Sequence, residues 1–185
     1  MGCLTVAEYA EAVTRIVDRA RSVQEAVDAI APLKELLLAN ERLIPPICFE
    51  GLESVNYTRN LLYVDPTGRF SVLALVWNPG RESPVHDHEN WGVVGCYTEG
   101  IRVTDYHAPA ADGSMAEKGI LTLPRGQVVK ICPPRTHNIH KMGNPGTTPV
   151  ITIHTYGDRA LACRVYHPQT GKANDMQLKY HHVVV

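Results

Sequence analysis

No apolar run in the sequence approaches the roughly twenty residues that span a bilayer, and the start, MGCLTVAEYA, has no basic stretch leading into an apolar one. A membrane-spanning or exported protein is therefore not expected, and a cytoplasmic one is. An excess of positive charge is missing too, because 18 Lys and Arg stand against 19 Asp and Glu for a formal net charge of −1. Neither nucleic acid nor an anionic membrane surface is suggested as a partner. Val6 occupies the place where an N-terminal acylation signal needs a small hydroxyl residue, which sets lipidation aside. The five cysteines, Cys3, Cys48, Cys96, Cys132 and Cys163, are odd in number and contain no CxxC pair. They read as reduced thiols, mostly small core residues, rather than as a disulfide frame or a zinc knuckle. Internal repeats and low-complexity segments are absent as well.

A chain of 185 residues with 44% hydrophobic content is enough for one domain with a real core, and residues 1–185 are read as a single domain. Its first part is helical. Thr5 and Glu8 form a capping box ahead of Val6, Tyr9, Ala10, Val13, Ile16 and Val17, which recur at helical spacing. Ser22 and Glu25 repeat the signal before Ala26, Val27, Ile30, Leu33, Leu36 and Leu37. Both helices should pack their apolar stripes on the main body. Helical character stops at Pro45-Pro46, so residues 1–44 form a helical preface and 45–185 the body. There, short β-branched and aromatic runs alternate with Gly, Pro, Asn and Asp: YTRNLLYV, FSVLALVW, WGVVGCYT, IRVTDYHA, ILTL, GQVVKI, VITIHTYG, LACRVYH and KYHHVVV. DPTG at 65–68 is a turn joining the first two. The spacing predicts a mostly β protein, an antiparallel barrel or sandwich after two or three N-terminal helices.

Nine histidines are present. His107, His167, His181 and His182 are read as surface or hydrogen-bonded residues. His86 and His88 differ, since side chains two apart on a strand point to one face, and neutral imidazoles suit borderline divalent metals. Thr152, His154 and Tyr156 likewise share one strand face.

The frame around His86-Asp87-His88 resembles the cupin superfamily, whose first motif reads G(x)5HxH(x)3,4E(x)6G. Gly80, His86, His88 and Gly100 fit it, with Val93 read in the place of the Glu. The second motif ends in H(x)3N, which His140 and Asn144 satisfy, whereas His137 would put Lys141 where Asn belongs. The resemblance implies a cupin-type β-barrel, or jelly roll, in which His86, His88 and His140 hold a metal.

Without a carboxylate, three neutral imidazoles leave a divalent ion its full charge and open positions for an anion such as a thiolate. Within the cupins this resembles the cysteine dioxygenase family, in its bacterial form, which implies Fe(II) as cofactor. It implies a small carboxylated thiol and O2 as substrates, with L-cysteine giving cysteine sulfinate. It further implies that Thr152, His154 and Tyr156 form the family's relay, with Thr152 where Ser is usual and the Tyr156 phenol reaching substrate and oxygen. Arg59 matches the Arg that takes the substrate carboxylate, with Tyr57 beside it on the same face. Animal members build a thioether to the tyrosine from a Cys where Val93 is read. Neither Val93 nor Gly92 can make one, and Cys96 would face the other side of the strand from Val93, so Tyr156 should be a free phenol. The pair Trp91-Gly92 is common among 3-mercaptopropionate enzymes, whereas Arg59 favours cysteine. The open alternatives are 3-mercaptopropionate or mercaptosuccinate as the thiol, a Zn or Ni cupin isomerase or lyase, and a non-catalytic binding cupin. A monomer or small homo-oligomer is expected.

Overall fold

A computed structural model describes residues 2–184. Met1 and Val185, the two ends of the expected domain, lie outside the described residues. The helical preface forms as its caps dictate. In α1 (Val6–Arg19) the Thr5 hydroxyl accepts from the Glu8 backbone N–H at 3.2 Å, and the Glu8 carboxylate accepts from Thr5 N–H at 2.8 Å. In α2 (Val23–Leu38) Ser22 Oγ accepts from Glu25 N–H at 3.1 Å, but the Glu25 carboxylate binds Arg21 N–H at 2.9 Å, so the box is displaced by one residue. The third helix reduces to two short 3-10 turns, Pro46–Phe49 and Leu52–Ser54.

Among the described residues twelve strands follow: β1 (Tyr57–Val64), β2 (Ser71–Trp77), β3 (Val85–Asp87), β4 (Gly92–Cys96), β5 (Gly100–Tyr106), β6 (Glu117–Pro124), β7 (Val128–Ile131), β8 (His140–Gly143), β9 (Val150–Tyr156), β10 (Ala162–Tyr166), β11 (Ala173–Gln177) and β12 (His182–Val183). They build two six-stranded sheets in the orders β12-β1-β2-β9-β4-β7 and β11-β10-β3-β8-β5-β6. Every pairing is antiparallel except that of β12 with β1. The protein is thus mostly β, a cupin-type antiparallel barrel of two sheets behind two helices. Among the described residues of the final run KYHHVVV, a two-residue strand forms.

Two cores explain which residues face the chemistry. One lies between the helices and the outer face of the first sheet, where Tyr9, Val13, Val27, Ile30 and Leu37 meet Val72, Ala74, Val76, Val93, Ile151 and Ile153. The other fills the barrel with Leu73, Leu75, Trp77, Val94, Cys96, Ile101, Val103, Met142 and Tyr156. Strands β2 and β9 serve both, which is why all seven residues of each are buried and why FSVLALVW reads as a continuous apolar run rather than an alternating one.

Candidate metal centre

Strand β3 pairs with β8 so that His86 lies directly opposite His140, and His88 follows one residue past the end of β3. This crossing brings the three side chains together: one nitrogen from each of His86, His88 and His140 lies within 4.8 Å of the others. The ring centroids are 4.8 to 5.0 Å apart. Local bonds orient the rings. His86 Nδ1 is 3.0 Å from the Pro84 carbonyl, which can only accept, so the proton sits on Nδ1 and the Nε2 lone pair is free. The His88 backbone N–H donates to Asn138 Oδ1 at 2.9 Å, while Asn138 Nδ2 donates to the Cys132 and Pro134 carbonyls at 3.1 and 3.2 Å. Asn144, four residues beyond His140, donates to the Trp77 and Thr148 carbonyls at 3.1 and 2.7 Å.

Burial holds these imidazoles neutral. Desolvation first, and then the neighbouring His86, push His140 down to about 3. Desolvation also drives His88 well below the ordinary histidine value, with His86 and His140 adding to it. His88 Nε2 and His140 Nε2 stand 3.2 Å apart. Neutral, converging nitrogen donors are the set a borderline divalent ion takes, and among the described residues no carboxylate or thiol joins the cluster. His137 lies exposed in the 3-10 turn Arg135–His137 and is not part of the cluster.

The row on β9 is continuous. Thr152 Oγ1 is 2.7 Å from His154 Nε2, and His154 Nδ1 is 2.7 Å from the Tyr156 hydroxyl. The Tyr156 ring stacks on His88 with centroids 5.0 Å apart, which joins the row to the histidine cluster. Burial raises the Tyr156 phenol above its ordinary value and, with Lys34 and Arg59 nearby, holds His154 well below its own.

The strand register corrects one assignment. Val93 pairs with Thr155 and Lys130 and lies in the outer core beneath the helices, while Gly92 pairs with Tyr156. A Cβ on Gly92 would stand 3.0 Å from Tyr156 Cδ1. The position beside the tyrosine therefore belongs to Gly92, not to Val93. The first cupin motif admits three or four residues after its second His; three places Gly92 in the slot, and the motif's closing Gly then falls one short of Gly100, at Glu99. Cys96 is on the inner face with Gly92 but lies opposite Thr152, four residues further along β4.

Tyr57 and Arg59 open on the same cavity as His86, His88, His154 and Tyr156. Arg59 is 6% exposed. Its Nη2 donates to the Ala160 carbonyl at 2.7 Å and its Nη1 to the Lys179 carbonyl at 3.3 Å, leaving the rest of the guanidinium fork uncommitted. Tyr57 stacks on Trp77 with centroids 4.4 Å apart. Trp91, by contrast, packs away from the cavity: its carbonyl accepts from Gly157 N–H at 2.9 Å, and a Cβ on Gly157 would meet its indole.

Sequence reasoning missed Trp77, whose indole N–H donates to Thr152 Oγ1 at 2.8 Å. The signal was present in the pairing of β2 with β9, which sets Leu75 opposite Thr152 and puts Trp77 on the same inward face. Asn138 carried no such signal, since it acts from a loop.

The model of a family described as Cysteine dioxygenase type I matches residues 4–169. Among curated proteins, Cysteine dioxygenase type 1 of Danio rerio is 24% identical over 139 residues, which cover 71% of this chain and 66% of the relative. The protein of the same description from Rattus norvegicus is 27% identical over 137 residues, covering 72% and 66%. The chain thus spans just under two thirds of the length of these relatives. Similar solved structures include a cupin 2 conserved barrel domain protein from Rhodopseudomonas palustris, with a TM-score of 0.46 and 14% identity over 61% of this chain and 70% of that one. An RmlC-like cupin protein from Desulfovibrio desulfuricans gives a TM-score of 0.43 at 14% identity, over 64% and 92%.

Proposed function

Because the chain belongs to the cysteine dioxygenase type I family, we propose that it is a non-haem Fe(II) thiol dioxygenase that converts a small carboxylated thiol, L-cysteine, to the sulfinate. Both atoms of one O2 are added to the sulfur, so that thiolate plus dioxygen balances as sulfinate with no other reductant. The carrying observation is that a cluster of three imidazoles, with no carboxylate among its donors, opens through His86 and His88 on the cavity lined by the Tyr156 phenol and the Arg59 guanidinium.

His86, His88 and His140 would hold the iron. Fe(II), when bound, would supply the positions at which thiol and dioxygen meet and the electrons that activate dioxygen. The protein's own residues do the rest. The uncommitted part of the Arg59 fork takes the substrate carboxylate through paired hydrogen bonds, which fixes the sulfur's place in the cavity. Tyr57 flanks that carboxylate. Tyr156, kept a phenol by burial, donates a hydrogen bond to the reacting atoms, and His154 with Thr152 holds it in line. Arg59 favours an amino-acid thiol, while the Trp91-Gly92 pair, whose Gly92 lies beside Tyr156, keeps 3-mercaptopropionate as the alternative.

The test is oxygen uptake and sulfinate formation by the iron-loaded protein with L-cysteine, 3-mercaptopropionate and mercaptosuccinate. One O2 per sulfinate, with the highest kcat/KM for L-cysteine, is expected. A higher kcat/KM for another thiol overturns the substrate assignment. Absence of thiol-dependent uptake by iron-loaded protein overturns the reaction.

A further inference from the structure

We propose that Trp77 is a positioning residue that sets the direction of the hydrogen-bond chain on β9, holding His154 as the Nδ1–H tautomer so that Tyr156 turns its hydroxyl hydrogen toward the cavity. One partner in the hydrogen-bond chain cannot reverse. An indole N–H only donates, and that of Trp77 donates to Thr152 Oγ1 at 2.8 Å. Thr152 is fully buried, and its other side-chain partner is His154 Nε2 at 2.7 Å. With Oγ1 accepting from the indole, the hydroxyl hydrogen goes to Nε2, which must then carry a lone pair. A neutral imidazole so placed has its hydrogen on Nδ1, 2.7 Å from the Tyr156 oxygen. The phenol accepts there and keeps its own hydrogen for the cavity.

The reversed chain is worse on each count. His154 Nε2–H and Trp77 Nε1–H would both aim at one threonine oxygen, and the threonine hydrogen would be left without a described partner in a buried site. The phenol hydrogen would point into Nδ1, away from the substrate. Trp77 is itself firmly held: its ring stacks on Tyr57 at 4.4 Å, and its carbonyl receives Asn144 Nδ2 at 3.1 Å. The neutrality of His154 agrees with its burial.

The catalytic consequence rests on the thiol dioxygenase reading, but the tautomer does not, and the test separates them. Protein labelled with 15N at histidine and loaded with diamagnetic Zn is examined by long-range 1H–15N NMR, with His154 assigned through a His154→Gln variant. The wild type is expected to show a protonated Nδ1 and a bare Nε2 at His154, and Thr152→Ser, which keeps the hydroxyl, the same. Trp77→Phe frees the threonine to turn and should give a mixed or reversed tautomer, with kcat of the iron-loaded enzyme down roughly 10-fold or more and KM for the thiol changed less than about 2-fold. An Nε2–H tautomer in the wild type, or an unchanged Nδ1–H tautomer in folded Trp77→Phe, overturns the proposal. If Trp77→Phe does not fold, Trp77→Leu, which also lacks the indole donor, carries the same test, and an unchanged Nδ1–H tautomer there overturns the proposal equally. An inactive iron-loaded wild type with the expected tautomer would sink the reaction assignment alone.

Discussion

A methyl group at position 92 would meet the Tyr156 ring at 3.0 and 3.1 Å and Ile131 Cδ1 at 3.4 Å, distances at which a ring held on both sides has to give. The adjacent side chain, Val93, touches none of this and is wholly buried among the helices. The two neighbours should therefore fail in opposite ways. Gly92→Ala is expected to lower kcat about 10-fold by shifting Tyr156 a few tenths of an ångström, with little change in the urea midpoint. Val93→Ala should leave kcat and KM alone and cost roughly 2 kcal/mol of stability through the cavity it opens. Paired kinetics and urea titrations check this, and a Val93→Ala enzyme with impaired turnover but normal stability would return Val93 to the site. Arg59 carries the other prediction at this scale. Arg59→Gln removes the charged fork but keeps a donor, so KM for L-cysteine should rise roughly 10- to 100-fold, while oxidation of cysteamine, which has no carboxylate, changes by less than about 2-fold. Equal losses on both thiols would show that the guanidinium does not read the carboxylate.

The helical preface reaches the β9 row at Thr155. Thr155 lies between His154 and Tyr156 on β9 but faces outward, where Lys34 Nζ on α2 approaches its hydroxyl at 2.6 Å and Tyr9 on α1 at 2.9 Å. Lys34 is fully buried, and desolvation pulls its amine well below the ordinary lysine value. The unfolded chain then binds a proton that the folded chain refuses. That contribution to stability is whole above the unfolded value of about 10.5 and is lost as pH falls toward the folded one. Lys34→Met keeps the stem and removes the amine, so it should be more stable than the wild type at neutral pH. The difference should shrink as pH rises, by at most about 1.4 kcal/mol per pH unit. Urea titrations from about pH 7 to 10 read this; parallel curves would mean that Lys34 is charged in the folded protein. The elements themselves were unevenly legible. The alternating and apolar run YTRNLLYV coincides with β1, and the Thr5 and Glu8 box with the start of α1. Strands β8 (HKMG) and β11 (ANDMQ) left no periodic signal, one being four residues long and the other exposed throughout. His86, His88 and the β9 row were legible because a spacing of two places side chains on one strand face, and His140 because it fits the H(x)3N end of the motif that the chain resembles. The choice between Gly92 and Val93 was not, because it depends on how many residues the turn after His88 consumes, which only the pairing of β4 with β9 counts.

At the scale of the whole molecule the site is a meeting of two walls. The sheet containing β3 and β8 brings the histidine cluster, and the opposite sheet brings Arg59, Trp77, Gly92 and the β9 row. The wall that reads the carboxylate is closed by the far end of the chain. β12 pairs in parallel with β1, with Asn60 opposite His182 and Leu61 opposite Val183. Just before it, the Lys179 carbonyl takes Arg59 Nη1, and His181 exchanges hydrogen bonds with the Arg59 backbone, Nδ1 accepting at 3.0 Å and N–H donating at 2.7 Å. The Arg59 guanidinium stands 6.0 Å from the Tyr180 ring centroid, and Tyr180 donates to the Arg159 carbonyl. A guanidinium buried this deeply has its direction fixed by the backbone around it, so the terminal segment should govern affinity for the carboxylate and not the histidine cluster. Ending the chain after Leu178 removes the Lys179 carbonyl, the tyrosine ring and β12 together. KM for L-cysteine is then expected to rise roughly 10-fold through lost pre-organisation of the fork, with iron content per chain unchanged and cysteamine turnover little affected. Steady-state kinetics beside iron analysis distinguish this from general unfolding, which would lower all of them, and an unaltered KM in a folded, iron-replete truncation would show that Arg59 holds its place without the terminal strand.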